Sequence, residues 1–215
     1  LWDLETGKQK FIFNGHTDYV RCVAFSFDGK KCASGAADGK LIIWNTETGK
    51  QEKVLEGYQY IDALAFDNNG KLYWNNRDII KIWDLISDTL SDIIIHHNDD
   101  VRTIEFSKDG QRLLTASRDK TSAIFDVASG ALIRSFKGSI GALNNAKFSP
   151  DEKEIMTTSE DCSITIWDAM TGKAKYQLFA LDTSDYLAVD GDYRYDGTEK
   201  ARKTLFYTCG MEPIV

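Results

Sequence analysis

The chain has 215 residues, 42% of them hydrophobic, with 33 acidic against 26 basic side chains and a formal net charge of −7. Length and apolar content suffice for a sizeable core. Basic residues scattered through an acidic chain argue against a general nucleic-acid surface, because phosphate neutralisation needs clustered Lys and Arg.

No apolar run approaches the roughly 20 residues of a membrane helix; the longest aliphatic stretch is Ile93-Ile94-Ile95. The chain begins at Leu1 rather than Met, so the natural N-terminus is expected further upstream, and its start says little about targeting. Cys22, Cys32, Cys162 and Cys209 show no CxxC spacing. Buried, reduced thiols in a reducing, cytoplasmic setting are expected.

In chain order, Leu1 to Phe13 reads as the tail of a repeat, with Trp2-Asp3 followed by the turn Glu5-Thr6-Gly7. The first complete unit opens at Gly15-His16. Val20, Val23 and Phe25 predict a mostly buried strand, and Asp28-Gly29 a hairpin turn, since that pair tolerates positive φ. Cys32-Ala33-Ser34-Gly35 reads as a small-residue strand, Asp38-Gly39 as the next turn and Leu41 to Trp44 as the third strand. After the turn Thr46-Glu47-Thr48-Gly49, Lys50 to Leu55 forms an outer, more polar strand.

Later units repeat this scheme. The first-strand phenylalanine recurs as Phe66, Phe106 and Phe148, and the first turn as Asn69-Gly70, Asp109-Gly110 and Pro150-Asp151. An aromatic residue followed by Asp or Asn closes each third strand: Trp2, Trp44, Trp83, Phe125 and Trp167, in steps of 42, 39, 42 and 42. A period near 40 ending in an aromatic-Asp pair predicts an all-β fold: part of a β-propeller, with four complete four-stranded antiparallel blades after a partial first one.

These motifs resemble the WD-repeat β-propeller family over residues 1–179. The resemblance implies a buried hydrogen-bonded chain of His, Ser or Thr, Asp and Trp in each blade. In the first unit the matching residues are His16, Ser34, Asp38 and Trp44. The third matches with His97, Thr115 and Asp119, but Phe125 lacks the indole donor. The fourth matches with Thr157, Asp161 and Trp167, with Ser139 in the histidine place. In the second, Tyr58 replaces His and Asp78 stands one residue out of register. His16, Ser34 and Asp38 together mimic a hydrolase triad by residue type, but the family pattern makes them structural.

His96-His97 beside Asp99-Asp100 matches no zinc spacing, and Asp67-Asn68-Asn69-Gly70 lacks the rest of a calcium loop. Neither a metal nor a cofactor is expected, and no catalytic residue is assigned. Residues 180–215 depart from the repeat. Tyr186 to Asp190 is a candidate to open a degenerate closing blade, and Gly191 to Gly197 reads as a strand between turns. Ala201 to Tyr207 fits helix or strand. This tail is similar to linkers of bacterial multi-domain WD-repeat proteins, some with a caspase-like peptidase domain.

The resemblance also implies a docking face. The residues beside the start of each first strand point there, as does the residue before each turn aspartate. Tyr19, Arg21, Tyr60, Arg77, Arg102 and Arg118 are the candidate partner-binding set, because Tyr and Arg dominate interface hot spots. Converging arginines favour an acidic protein or peptide partner. The expectation is a non-enzymatic protein-interaction scaffold belonging to a longer protein, without nucleic-acid or membrane binding. The alternative is a regulatory or substrate-recruiting module of a caspase-like enzyme.

Overall fold

A computed structural model describes residues 1–93, 97–180, 184–192, 194–203, 207–209 and 212–214. Four antiparallel sheets follow one another along the chain, and each is one blade. The first comprises β1 (Val20–Phe25), β2 (Lys31–Ala36), β3 (Leu41–Asn45) and β4 (Gln51–Leu55). The second is β5 (Leu64–Phe66), β6 (Lys71–Asn76), β7 (Ile79–Asp84) and β8 (Thr89–Ile93). The third is β9 (Val101–Phe106), β10 (Arg112–Ser117), β11 (Thr121–Asp126) and β12 (Leu132–Lys137). The fourth is β13 (Leu143–Phe148), β14 (Glu154–Ser159), β15 (Ser163–Asp168) and β16 (Ala174–Ala180). Together they make part of a propeller. Among the described residues no helix is long and apolar enough to cross a membrane.

The turns explain why these residues form hairpins. Ser26 Oγ donates to Asp28 Oδ1 at 2.7 Å and accepts from Lys31 N at 3.0 Å, while Gly29 takes a φ of 68°. Ser107 with Asp109 and Ser149 with Asp151 repeat the arrangement. In the last of these, Glu152 occupies the glycine place at φ 57°. The turn leading into the third strand varies similarly. Gly39, at φ 73°, is matched by Lys120 at 73° and Cys162 at 64°. A side chain in the left-handed region is strained. Cys162→Gly is therefore expected to stabilise the chain by about 0.5–1 kcal/mol, whereas Cys162→Ala gains nothing. Urea midpoints of the two variants check this.

The core lies between successive blades. Ala33, Leu41 and Ile43 of the first pack on Ile61, Leu64 and Trp74 of the second. Tyr73 and Ile80 pack on Val101, Ile104 and Phe125. Leu114, Ile124 and Phe136 pack on Leu143, Ile155 and Trp167. From the second blade on, each first strand thus buries one face against the preceding blade. Val101 is 0% and Ile104 7% exposed, but their counterparts Val20 and Val23 are 52% and 65% exposed. The expectation of a mostly buried β1 fails because among the described residues no sheet covers that face; Phe25 is exposed too. Upstream, the Trp2–Gln9 bridge precedes Phe13, which stacks on Trp44 at 5.0 Å.

The tail also differs from expectation. β17 (Tyr186–Asp190) opens no further blade: it pairs antiparallel with β16, and β18 (Tyr195–Gly197) pairs with β17. The fourth sheet thereby gains two outer strands. A short helix, α1 (Glu199–Lys203), follows, then the hairpin of β19 (Tyr207–Cys209) and β20 (Glu212–Ile214). Ile94, Ile95, His96 and the Cys209 thiol lie outside the described residues, as do residue 193 within the expected strand Gly191 to Gly197 and residues 204–206 of the stretch Ala201 to Tyr207. Cys22, Cys32 and Cys162 are free. Contrary to expectation Cys162 is exposed, because it sits at a turn tip.

Candidate functional site

In the first blade the four named side chains meet. Trp44 Nε1–H donates to Ser34 Oγ at 2.8 Å, and Ser34 lies 2.7 Å from His16 Nε2. His16 Nδ1 lies 3.1 Å from Asp38 Oδ1. The indole can only donate, so the serine hydroxyl gives its proton to Nε2 and Nδ1–H points to the carboxylate. Burial pushes the Asp38 carboxyl up, but bonds from Thr17 N, Lys40 N and His16 outweigh it and hold the group below the usual range. Ser34 is 5% exposed and its oxygen accepts the indole proton, so it is no nucleophile.

The third blade keeps the chain without the indole. His97 Nε2 lies 2.8 Å from Thr115 Oγ1, and His97 Nδ1 lies 3.1 Å from both Asp119 Oδ2 and Thr121 Oγ1. The Phe125 ring packs edge-on to His97. In the fourth blade Trp167 donates to Thr157 at 2.9 Å. With no histidine, Asp161 accepts from the main-chain N–H of Ile140 and Gly141 at 3.2 and 3.0 Å.

The second blade replaces the chain with aromatic packing. Trp74 stands on β6 where Ser34 stands on β2, fully buried, with the Tyr58 ring edge-on at 5.4 Å. Its indole N–H has no acceptor among the described residues. Trp83 turns its own N–H outward to Asp88, at 3.0 Å. Asp78 joins no such chain, because Arg77 and Asp78 form a two-residue turn with Asn76 opposite Ile79. Arg77 occupies its first position at φ 61°. That shorter turn accounts for one of the three residues by which the step of 39 from Trp44 to Trp83 falls short of 42; the approach to Phe66 and the β5–β6 hairpin each lose another.

The partner-binding candidates lie at the end of the blades where the first strands begin, and they fall into two kinds. Tyr19 and Tyr60 are 81% and 59% exposed. Arg21 lies over the Tyr60 ring at 5.3 Å and pairs with Asp62 at 3.0 Å. Arg102 pairs with Glu160 at 2.8 Å and donates to Asn144 in the next blade. These two arginines are therefore already neutralised. Arg77 and Arg118 are exposed and make no ion pair among the described residues; Arg77 Nε–H donates to the neutral Gln59 at 2.7 Å. The main chain ties both to the rim, through Val101 N to Arg77 O and Arg118 N to Asp100 O, each 2.9 Å.

Two features escaped the sequence reading. Asn75, buried at 1% exposure, accepts from Asp62 N and Ala63 N at 2.9 Å each, completing a strand that the backbone leaves short. The second is the pairing of Arg21 with Asp62 and of Arg102 with Glu160: both acidic residues fall on the docking face that the sequence implies, but not as counter-ions. Among the described residues no group of three or more His, Cys, Asp or Glu is placed to hold a metal ion. Burial and the Asp62 charge push the Cys22 thiol up to about 12, which leaves it unreactive.

The family model "WD domain, G-beta repeat" matches residues 7–45, 89–126 and 130–168, together more than half of the chain. The stretch between the first two matches is the blade in which aromatic rings replace the hydrogen-bonded chain. The chain is 29% identical over 154 residues to the U3 small nucleolar RNA-associated protein 15 homolog of Xenopus tropicalis. That match covers 70% of this chain and 30% of that protein, so the chain spans less than a third of this relative's length. The relative is RNA-associated by name, so the exclusion of nucleic acid drawn from composition has no support here. The resemblance of the tail to bacterial peptidase-bearing proteins gains none either. Repeat model, blade topology and side-chain chains agree: the chain belongs to the WD domain, G-beta repeat family.

Proposed function

We propose that the protein is a non-enzymatic interaction scaffold that binds an acidic peptide or protein segment across the rim carrying Tyr19, Tyr60, Arg77 and Arg118. Arg21 and Arg102 position that rim rather than contact the partner directly. The observation that carries this reading is the pair of exposed arginines without counter-ions beside two exposed tyrosines. A guanidinium without an internal carboxylate still offers N–H donors to an incoming one: in Arg77 the two terminal nitrogens, since its Nε–H is held by the neutral Gln59. The free thiols support a reducing, cytoplasmic setting.

A second reading rests on the relative named for its association with a small nucleolar RNA. In it, the same rim serves a protein component of an RNA-associated particle, or the RNA itself. The test is an array of Asp- and Glu-rich peptides together with a single-stranded RNA oligomer, probed with the wild type and with Arg77→Glu/Arg118→Glu. Peptide binding that falls at least about tenfold in the variant, at unchanged melting temperature, is expected. Equal peptide binding by both proteins sinks the acidic-peptide reading, and RNA retention without peptide retention favours the second.

A further inference from the structure

A second site lies at the joint between the third and fourth blades, away from the rim and independent of its function. A cleft of roughly 480 Å³ opens there, lined by Ile124, Ile133 and Arg134 on one side and Ala169, Met170 and Thr171 on the other. Arg134 makes no ion pair among the described residues, and its Nε is buried without a hydrogen-bond partner. An arginine so placed is incomplete, because a buried guanidinium N–H without an acceptor is costly.

The molecule itself shows what completes such a position. Lys53 stands opposite Ile43 on the neighbouring strand, and Arg134 stands opposite Ile124. Those isoleucines immediately precede Trp44 and Phe125, so the two cations hold the same place in their blades. Each faces the turn that follows the third strand of the next blade. Five residues after Trp83 that turn carries Asp88, and five residues after Trp167 it carries Gly172, both left-handed at φ 56° and 75°.

Lys53 pairs with the Asp88 carboxylate and lies over the Trp83 ring at 5.1 Å. Arg134 reaches equally far: a Cβ added to Gly172 would stand 3.0 Å from its Cδ. Yet glycine supplies no carboxylate. The nearby acidic groups are engaged elsewhere. Glu152 pairs with Arg112 and accepts from Lys108 N, and Asp168 accepts from Thr171 N and Oγ1 at 2.7 and 2.8 Å. The rim of the cleft carries two exposed apolar side chains, Met170 at 81% and Ile133 at 46%, beside the exposed Lys153, which pairs loosely with Asp151 at 3.9 Å.

We infer that this cleft binds the acidic side chain of a partner peptide, with an apolar neighbour of that residue on Met170 and Ile133. The carboxylate takes the place that Asp88 fills at the first joint. A side chain is favoured over a chain terminus because the internal counterpart is an aspartate, preceded by Ile86 and Ser87.

The test titrates the isotope-labelled 215-residue chain with acetyl-Leu-Asp-amide, acetyl-Leu-Asn-amide and acetyl-Leu-Leu bearing a free carboxylate. The Arg134 Nε–H and Met170 methyl resonances are followed. A saturable shift of both signals with the aspartyl probe, at least about tenfold tighter than with the asparaginyl probe, is expected. Gly172→Asp supplies the carboxylate in cis and is expected to abolish the shift. Arg134→Gln removes the Met170 response, so the site stays testable if Gly172→Asp does not fold. Arg77→Glu/Arg118→Glu leaves it intact. Equal response to the aspartyl and asparaginyl probes, or none, overturns the site. Tighter binding of the free terminus overturns the side-chain assignment.

Discussion

Asp119→Ala is expected to destabilise the chain by about 2–4 kcal/mol at neutral pH, the largest cost among the aspartates of the repeat chains. The carboxylate gathers four donors. Oδ2 accepts from Asn98 N at 2.9 Å and faces His97 Nδ1 at 3.1 Å; Oδ1 accepts from Thr121 N at 2.9 Å and Thr121 Oγ1 at 2.6 Å. The His97 and Asp119 side chains are only 1% and 7% exposed. Alanine leaves the imidazole N–H with Thr121 Oγ1 alone and takes the carboxylate acceptor from Asn98 N and Thr121 N, and deletion of one partner costs more than the bond itself yields.

The effect depends on pH in a fixed direction. Burial pushes the Asp119 carboxyl up, but hydrogen bonds from His97, Thr121 and Asn98 outweigh it and hold the group well below the ordinary range. A carboxyl lowered in the folded state contributes stability above its unfolded pKa of about 3.9, and loses it as pH falls towards the folded value. Wild type and Asp119→Ala should therefore differ by a constant amount from about pH 5 to 7 and converge below about pH 4. Urea unfolding at a series of pH values measures this. A gap that stays constant down to about pH 2.5 would show that the carboxylate charge is not what holds the loop. The corresponding change in the fourth blade, Asp161→Ala, should cost less, because its carboxylate holds no imidazole.

The repeat was legible because one physical requirement recurs: a hairpin needs a residue that tolerates positive φ, and a buried third strand needs an aromatic at its end. Asp28-Gly29, Asp109-Gly110 and the series from Trp44 to Trp167 carry both signals in their spacing. The same logic placed His16, Ser34, Asp38 and Trp44, whose atoms meet within hydrogen-bond distance. Illegible were the positions where a different interaction does the same job. Trp74 takes a hydroxyl's place through ring packing, and Glu152 takes a glycine's place in a turn while pairing with Arg112. The exposure of Val23 and Phe25 depends on a neighbouring sheet, which no local pattern reports. The candidate rim was legible only as a set of side-chain types. That Arg21 and Arg102 are neutralised by Asp62 and Glu160, 41 and 58 residues away, follows from blade packing alone.

Asn75→Ala should weaken both the second blade and the proposed rim. Elsewhere the first strand pairs through its backbone from its opening residue, as with Val20 opposite Ala36 and Val101 opposite Ser117. In the second blade the ladder starts only at Leu64, opposite Trp74. The Asn75 side chain supplies the missing acceptor, taking the N–H groups of Asp62 and Ala63 onto one oxygen. Alanine leaves two main-chain donors unpaired, one of them on the 5% exposed Ala63. A loss of about 2–4 kcal/mol is expected, seen as a lower urea midpoint at unchanged slope. The consequence reaches the surface by a short path. Asn75 fixes the backbone of Asp62, the Asp62 carboxylate holds Arg21, and Arg21 lies against Tyr60. Acidic-peptide binding at the rim should therefore weaken in Asn75→Ala even where the chain remains folded. A loss below about 0.5 kcal/mol would mean that the strand re-forms the backbone pairing of its neighbours. Tyr60 and Arg21 should then keep their place and binding should be unchanged, so stability and binding must move together. Full loss of stability with binding untouched would separate the core of the second blade from the rim and exclude Arg21 from any positioning role.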